Sequence, residues 1–397
     1  MTTLKYKNLT FSEKDGKLRV TFLGIYYFYM SRNDLHALGS YAVAKDAISF
    51  KSNKKEGNLK QKFEYMLAKG FEKLICSLNN KPALYIHQNS GIPLIGSGEF
   101  GIIDRGTNTI EIKPLTTCNI DCIFCSVDHT KRASDIVVES DYLIDELKKV
   151  IAIKDNRVNI HIGSQGDPSI YGDLVYLVKN IRKIKKVSAI SMVTNGILIN
   201  NSTADKLIKA GMTHFHFSLH SLDQKKADML ANARYPVKRI METCRHIAKK
   251  AHLLLVPVWL PGINDNDIEE IILFAKDIGA DIGIQNFLEY QFGKKPVNPL
   301  PMKLFYKKLG DLEEKLKVNL TSLDSSLEFK EDSKLPKPFR KGDVITVNIM
   351  AKSRLHNSVI AVAKERVVTV INCTREKGNM KVKLIRDKDN IFTAVPT

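Results

Sequence analysis

No stretch of the sequence is apolar for the ~18 residues that a membrane-spanning helix requires. The first residues, MTTLKYKNLT, also lack the apolar segment of a secretory signal peptide. We therefore expect a cytoplasmic protein with no membrane partner. The chain has 397 residues, of which 44% are hydrophobic and 26% are charged, as is typical of a globular protein with room for two or three domains.

Cysteine is scarce: the sequence contains only six. Their placement does not suggest a disulfide framework. Three of them are scattered over separate regions: Cys76, Cys244 and Cys373. The other three follow a C-x3-C-x2-C spacing directly after a β-branched run: Cys118, Cys122 and Cys125. Thiolates hold iron-sulfur clusters, and three on one loop can reach three corners of a cubane and leave the fourth iron open.

This cysteine motif, with Phe124 before its last cysteine, resembles the signature of the radical S-adenosylmethionine (SAM) superfamily. The resemblance implies a 4Fe-4S cluster whose open iron is chelated by the amino and carboxylate groups of SAM. It also implies that an electron from the cluster cleaves SAM to methionine and a 5'-deoxyadenosyl radical, which requires an electron donor such as ferredoxin or flavodoxin. A structural zinc site is the alternative, but zinc prefers four ligands, and only His129 is near.

Helical and strand-like segments alternate after the cysteine loop. Apolar patterns predict six strands, at Thr109 to Ile112, Val158 to Gly163, Ala189 to Thr194, His214 to Leu219, Leu253 to Trp259 and Asp281 to Phe287. Such alternation requires a parallel sheet, and six units suit an incomplete barrel. The radical SAM resemblance implies the same α/β fold, a partial (β/α)6 TIM-like barrel.

Four parts are predicted along the chain. They are an N-terminal α+β extension at residues 1–105, the radical SAM core at 106–320, a linker at 321–338 and a small all-β barrel at 339–397. In the extension, Leu18 to Met30 is strand-like, and helical spacing is present at Asp34 to Ile48 and Asn58 to Leu78. Cys76 would lie on the apolar side of the second of these helices.

Active-site residues of such barrels lie at the C-terminal ends of the strands. The second strand ends in GSQGDP, which resembles the GGE motif of the family, with Gly166 and Asp167 in the Gly-Glu positions. The resemblance implies contact with the amino group of SAM, and the shorter aspartate favours backbone carbonyls for that contact. The third strand ends in TNG, where the resemblance implies that Thr194 and Asn195 bind the ribose of SAM, although N-G is also a common turn.

The fourth strand, HFHFSLH, places its polar and apolar side chains on opposite faces, because side chains alternate along a strand. We expect the polar set to face the lumen, with Ser218 beside SAM and His220 as the catalytic candidate; a structural hydrogen bond is the alternative for His220. His214 and His216 lie deeper and are expected to be structural. By the same parity, two residues of other strands are expected to line the lumen: His161 and Gln285.

Aromatic residues follow the fifth and sixth strands. Trp259, the only tryptophan, is expected near the adenine, near a substrate base or in the core. In GIQNFLEYQFGKK, Phe287, Tyr290 and Phe292 alternate with polar residues and end in lysines, a pattern suited to stacking on a nucleotide. With FGIIDRG, CIFCSVD, GDP and PVWLPGIND, this segment resembles a mainly archaeal, Fe-S oxidoreductase-like subfamily of radical SAM proteins.

The charge of the chain is strongly positive. Lys and Arg number 61 against 43 Asp and Glu, a net charge of +18, which favours nucleic acid as partner over a merely lysine-rich surface. Residues 340–397 alone carry twelve Lys and Arg against five Asp and Glu. Their short alternating strands predict a five-stranded barrel and resemble a TRAM domain, an RNA-binding module of several tRNA-modifying enzymes. Phosphate contacts are expected from Lys352, Arg354, Lys364, Arg366 or Arg375.

Three functions follow from these features. The leading one is a radical SAM enzyme that modifies a nucleoside of RNA, above all tRNA, extruded into the barrel for methylation or another C–H functionalisation. Methylthiolation is disfavoured because the three extra N-terminal cysteines of enzymes with that activity are missing. The alternatives are a radical SAM enzyme for a peptide or small metabolite and a non-catalytic Fe-S protein that binds RNA. Nothing in the sequence resembles a cobalamin domain.

Overall fold

A computed structural model describes residues 1–321 and 327–397 of the chain. Its strands are β1 (Thr2–Lys5), β2 (Leu9–Lys14), β3 (Lys17–Phe22), β4 (Tyr26–Met30), β5 (Ser40–Ala44), β6 (Ala47–Lys51), β7 (Ile75–Cys76), β8 (Ala83–Ile86), β9 (Gly101–Asp104), β10 (Thr109–Lys113), β11 (Asp135–Val138), β12 (Val158–Ile162), β13 (Val187–Thr194), β14 (His214–Phe217), β15 (His252–Leu255), β16 (Val258–Trp259), β17 (Asp281–Ile282), β18 (Gln285–Asn286), β19 (Val344–Lys352), β20 (Ser358–Ala363), β21 (Arg366–Ile371), β22 (Gly378–Arg386) and β23 (Thr393–Pro396). Its α-helices are α1 (Arg32–His36), α2 (Glu56–Phe71), α3 (Ser140–Ala152), α4 (Leu174–Arg182), α5 (Asn201–Ala210), α6 (Gln224–Ala231), α7 (Val237–Ala248), α8 (Asp265–Ile278) and α9 (Met302–Leu316).

A sheet in the order β17, β15, β14, β13, β12, β10 and β9 forms the centre of the molecule. Its strands are parallel from β10 to β17, and β9 adds an antiparallel edge beside β10. The predicted series of six β/α units is therefore confirmed. The fifth and sixth predicted strands are each split in two, because Pro257 has no N–H to continue the ladder; β16 then pairs with β18. No helix in the described residues has the length and apolar character to cross a membrane.

Helix boundaries in the core follow local capping. The side chain of Asn200 accepts a hydrogen bond from Thr203 N and so caps the start of α5. Gly211 ends this helix with a φ of 113°, a conformation that favours glycine. The helix then leads directly into β14, whose polar end contributes to the site.

The N-terminal extension contains both helices and strands, as predicted, but one of its predicted helices is wrong. Residues 34–48, expected to be helical, contain the end of α1 and most of the hairpin of β5 and β6. In β5, Tyr41 and Val43 are half-buried and alternate with exposed residues. A period of two fits this hairpin, which turns at the polar Lys45–Asp46 pair. Cys76 is buried, but it lies in β7 and not on a helix, because α2 ends at Phe71.

The C-terminal residues form a closed barrel in the strand order β19, β20, β21, β23 and β22, as the alternating pattern predicted. The barrel has its own core, which includes Val347, Val368 and Phe392. It is also fixed to the segment before β9: Val367 N donates to Ile95 O at 2.8 Å, and Phe392 N donates to Gly96 O at 2.9 Å. The basic module therefore packs directly against the rest of the molecule.

Part of the predicted linker, residues 322–326, lies outside the described residues. The described part of the linker is held at the N-terminal ends of the parallel strands. The amide of Asn108 exchanges hydrogen bonds with the backbone of Glu328 and Lys330, at 2.8 and 3.0 Å. Lys154 Nζ, which pairs with Asp104 at 2.7 Å, also donates to Ser333 O at 2.6 Å. These contacts fix the path of the chain from the sheet to the C-terminal barrel.

Candidate active site

A cavity of about 560 Å³ opens at the C-terminal ends of the parallel strands, between the cysteine loop and the start of α9. The sequence-predicted candidates that line it are Cys118, Cys122, Phe124, Cys125, Gly166, Asp167, Thr194, Asn195, Ser218, His220 and Gln285. Parallel strands bring all of their C-terminal ends to one edge, which explains why residues so far apart in sequence meet here.

The cysteine loop is positioned by backbone contacts from two sides. Asp121 N and Ile123 N donate to the last carbonyls of α6, at 3.2 and 3.0 Å. On the other side, Lys294 N donates to Cys125 O at 2.9 Å, and the Lys294 ammonium pairs with Asp121 at 2.6 Å. The loop is therefore held open in a defined shape by its neighbours and not by contacts among its own side chains.

Burial and neighbouring charges act on the pKa values of all three thiols. Burial raises the pKa of Cys118 to about 12, with a further contribution from Asp167. Burial also raises the pKa of Cys122 well above its usual range, and the negative charges of Cys118 and Cys125 add to this effect. Burial raises the pKa of Cys125 as well, whereas Lys294 and Arg132 act in the opposite direction. Without a bound cation these thiols stay protonated near neutral pH, so binding a metal group must release protons.

Asp167 joins the ends of two strands. Its buried carboxylate accepts hydrogen bonds from Ser169 N at 2.8 Å, Thr194 Oγ1 at 2.9 Å and Asn195 N at 2.6 Å. Burial raises the pKa of Asp167, and these hydrogen bonds oppose that effect because they favour the ionised form. Since protein donors occupy both carboxylate oxygens, Asp167 fixes the rim of the cavity, and nearby backbone groups are the ones free to meet a ligand.

Two further residues support this rim, although the sequence did not point to them as site residues. The Tyr235 hydroxyl lies 2.7 Å from Asn195 O and 3.1 Å from Ser218 O, and so connects the ends of β13 and β14. Asn119 accepts a hydrogen bond from Asn195 Nδ2 at 2.8 Å, which ties the cysteine loop to β13. Both lie in irregular segments, where no periodic pattern marks a residue as facing the site.

His220 lies beside Phe124, with its ring 4.6 Å from the Phe124 ring in an edge-to-face arrangement. Its Nδ1 accepts a hydrogen bond from Val258 N at 3.1 Å, so the proton of the neutral ring is on Nε2. Burial lowers the pKa of His220 to about 4. Near neutral pH the ring is therefore a hydrogen-bond donor, and its one basic nitrogen is already occupied by the backbone.

We expect the His220→Asn chain to lose part of its sensitivity to acid. The folded pKa of about 4 lies below the usual 6.5, so the unfolded chain takes up this proton first as the pH falls. The stability that neutral His220 contributes is present above pH ~6.5 and is lost towards pH ~4. Asparagine keeps an acceptor for Val258 N but does not titrate. Urea unfolding at pH 7 and 4.5 should show a loss of free energy about 2 kcal/mol smaller in the variant; an equal loss in both chains would contradict the role of His220.

Other predicted residues lie away from the cavity. His161 Nδ1 is 2.9 Å from Ser191 Oγ, deeper in the sheet. Trp259 is buried against Phe305, and its Nε1 donates to Asp265 at 2.8 Å. Neither His161 nor Trp259 is among the described residues that line the cavity. Of the three positions expected for Trp259, near the adenine, near a substrate base or in the core, the structure shows the core.

The mouth of the cavity is aromatic and exposed. Tyr290 and Tyr306 both line it, with 50% and 53% of their surfaces exposed. Lys303 and Lys307 are exposed on α9, the helix that also carries Tyr306. Exposed flat rings at an opening can stack on a base.

Three thiols beside polar strand ends, at the C-terminal edge of a parallel α/β sheet, are the arrangement expected of an enzyme that holds a metal group next to its substrate cavity. The sequence matches the radical SAM superfamily over residues 112–275. It is 35% identical over 353 residues to an uncharacterized protein of Methanocaldococcus jannaschii, with 80% of this chain and 81% of that protein covered. The chain belongs to the radical SAM superfamily.

Two more distant similarities extend the comparison. A probable GTP 3',8-cyclase of Pyrococcus abyssi is 26% identical over 299 residues, which cover 72% of this chain and 88% of that protein. The crystal structure of Streptococcus suis SuiB bound to SAM aligns with a TM-score of 0.44 and 15% identity, over 81% of this chain and 72% of SuiB.

Members of the superfamily bind a 4Fe-4S cluster and SAM, and the cavity fits both. Its three thiols are the donor type that iron-sulfur clusters take. In the described part of the chain, no three His, Cys, Asp or Glu side chains converge on a single metal ion. A cubane presents its irons at separate corners, so its cysteine ligands need not converge. Gly166, Thr194 and Ser218 line the same cavity as the thiols.

Proposed function

We propose that Cys118, Cys122 and Cys125 hold the 4Fe-4S cluster and that SAM lies between them and the strand ends at Gly166 and Thr194. The shared cavity supports this assignment, as do the charges of Cys118 and Cys125, which both raise the pKa of Cys122. When bound, the cluster supplies the electron that cleaves SAM to methionine and a 5'-deoxyadenosyl radical, which removes hydrogen from a substrate.

The chain's own residues would position the reactants. Asp167 fixes the segment that faces SAM, because it joins the ends of β12 and β13. Ser218 borders the same space with a hydroxyl able to bond a ribose, whereas the Asn195 side chain is already bonded to Asn119 and to Ile197 N. His220 would donate a hydrogen bond through Nε2 and, with Nδ1 occupied, would not act as a base. Phe124 packs against His220 and covers one side of the cluster loop.

We propose that the substrate is a nucleoside of RNA, above all of tRNA, modified by methylation or another C–H functionalisation. The observation that carries this proposal is the exposed pair Tyr290 and Tyr306 at the cavity mouth. A nucleotide extruded from a folded RNA would stack there on its way to the cavity. The small C-terminal barrel would bind the phosphate backbone, as its resemblance to a TRAM domain implies.

Of the five basic residues expected to contact phosphate, Lys352, Lys364 and Arg375 are exposed. Arg354 is buried, at 2% exposure, so the prediction that it contacts phosphate is wrong. Arg366 is half-buried, and its guanidinium donates a hydrogen bond to Pro336 O. Lys381 and Lys383 were not singled out from the sequence. Both point outward on β22, because Val382 and Leu384 alternate with them into the core.

Replacing Lys381 and Lys383 together with glutamine is expected to weaken tRNA binding and to reduce its salt dependence. Each phosphate contact releases a counterion, so the slope of log K against log salt should fall by about 2. Filter binding of bulk tRNA at several salt concentrations measures this. The matched control is the pair Lys62→Gln and Lys73→Gln, exposed lysines of the extension, which should leave the slope unchanged.

The reaction itself is tested with anaerobically reconstituted protein, SAM, a reductant and tRNA. Nucleoside mass spectrometry of the digested tRNA should then show a nucleoside that is absent without SAM. If 5'-deoxyadenosine forms but no nucleoside of tRNA or rRNA changes, the RNA substrate is wrong and the radical SAM chemistry stands.

A free nucleotide is a second candidate substrate, because the same aromatic mouth fits it and the relative from Pyrococcus abyssi is named a probable GTP 3',8-cyclase. Binding measurements distinguish the two candidate substrates. A free nucleotide would bind without the steep salt dependence of a polynucleotide, and the lysine variants on β22 would bind it as well as the unaltered chain does.

A further inference from the structure

The C-terminal barrel reaches the cysteine loop through the turn between β19 and β20. Ala133 N donates to Arg354 O at 2.7 Å, and Ser134 Oγ donates to Ser353 O at 3.0 Å. Ala133 and Ser134 come shortly after the short helical turn His129–Lys131. This turn continues the cysteine loop. A domain expected to bind RNA is thus in direct contact with the surroundings of the proposed cluster.

His129 connects this contact to a cluster ligand. The guanidinium of Arg132 contacts His129 Nδ1 and is fixed on its other side by the carboxylate of Asp135. A guanidinium can only donate hydrogen bonds, so Nδ1 is the acceptor and Nε2 carries the proton. His129 Nε2 lies 3.9 Å from Cys125 Sγ, within reach of a hydrogen bond to sulfur. The ring is therefore oriented to donate to the Cys125 thiolate.

Arg354 adds a positive charge behind the same loop. Although the residue is only 2% exposed, its Nε and Nη1 are buried without a hydrogen-bond partner among the described residues. One carboxylate, that of Glu99, lies 3.7 Å from Nε. Burial lowers the pKa of Arg354, whereas Glu99 and the Cys125 thiolate raise it. A buried cation with unused donors is unfavourable unless negative charge nearby compensates for it.

We propose that Arg354 of the C-terminal barrel, with Arg132 and His129, makes the cluster easier to reduce, so that the docked barrel helps to set its reduction potential. The proposal rests on the assignment of Cys125 as a cluster ligand and does not depend on an RNA substrate. The oxidised cluster takes one electron from a low-potential donor protein and gains negative charge. Hydrogen bonds to its sulfur ligands and nearby positive charge stabilise that reduced state. Arg354 and Arg132 are positioning residues, since neither is expected to contact SAM or substrate.

The test is an EPR-monitored redox titration of the full-length, anaerobically reconstituted chain, without SAM or RNA. Arg354→Met removes the charge at similar volume, and His129→Leu removes the donor to Cys125. We expect the equilibrium constant for one-electron reduction to fall about tenfold in each, a midpoint potential ~59 mV more negative. Arg354→Lys keeps the charge and should restore most of the difference. Arg375→Met, at an exposed position of the same barrel, is the control and should leave the potential unchanged.

Iron and sulfide content, measured on every variant, separates this proposal from the ligand assignment. Midpoint potentials of Arg354→Met and His129→Leu equal to that of the unaltered chain, with full cluster content, would overturn it. If Arg354→Met does not hold a cluster, His129→Leu decides, and an unchanged midpoint potential in that variant would overturn the proposal equally. A chain that keeps its cluster after Cys125→Ala would instead show that the ligand assignment is wrong.

Discussion

Replacing Cys122 with alanine is expected to reduce formation of 5'-deoxyadenosine from SAM to the level of a protein-free control. Cys122 is the thiol on which both other cysteines act, since the charges of Cys118 and Cys125 raise its pKa in addition to burial. Two remaining thiolates would leave two irons of a cubane without a protein ligand, and such a cluster does not persist. Iron and sulfide analysis, the visible absorbance of the reconstituted protein and chromatography of the SAM products measure the loss.

Cys244→Ala is the matched control for this variant. Cys244 is also fully buried, on α7, but it lies away from the cavity, so its replacement should cost ~1 kcal/mol of stability and leave the cluster intact. If Cys122→Ala still binds four irons and cleaves SAM, the assignment of this ligand is wrong. If Cys244→Ala loses the cluster to the same extent, general destabilisation and not the lost ligand explains the result.

The core of the fold could be predicted because its strands are buried on both faces. These strands are short runs in which apolar residues recur at alternate positions, as in β12 and β14, and helices with a period of 3.6 separate them. The position of the strand ends then follows from topology alone, which is why Thr194, Ser218 and His220 are found in one cavity. Polar residues directly after an apolar strand can be recognised in a single sequence, and they indicate which residues line the cavity.

The parts that could not be predicted depend on contacts between segments distant in sequence. Residues 34–48 have apolar spacing that suits a helix as well as a hairpin, and packing of β6 beside β1 decides between them. Asp167 and Arg354 are polar residues in turns, which on sequence grounds were expected to face a ligand. Each faces the protein interior, Asp167 because the end of β13 supplies its donors and Arg354 because the C-terminal barrel docks on the cysteine loop.

Gly166→Ala is expected to damage the site as severely as the loss of a ligand, although it adds a single methyl group. A Cβ at this position would lie 1.8 Å from Thr117 O and 2.7 Å from Thr116 O, distances far below van der Waals contact. These are backbone atoms directly before Cys118, and Asp167 N is hydrogen-bonded to the same Thr117 carbonyl at 2.9 Å. The glycine therefore permits close packing of the strand end on the cysteine loop, a requirement additional to any approach of SAM.

The methyl group can be accommodated only if the loop that carries Cys118 moves away from the end of β12. We expect a loss of ~3 kcal/mol in the free energy of unfolding, together with a chain that retains little iron after reconstitution. Gly310→Ala on α9 is the control: no described atom lies within 4 Å of its added Cβ, and alanine in a helix should raise stability by ~0.5–1 kcal/mol. Denaturant unfolding and iron analysis distinguish the two. A Gly166→Ala chain with normal stability and a full cluster would mean that the strand end and the cysteine loop move independently, and the rigid site described above would have to be abandoned.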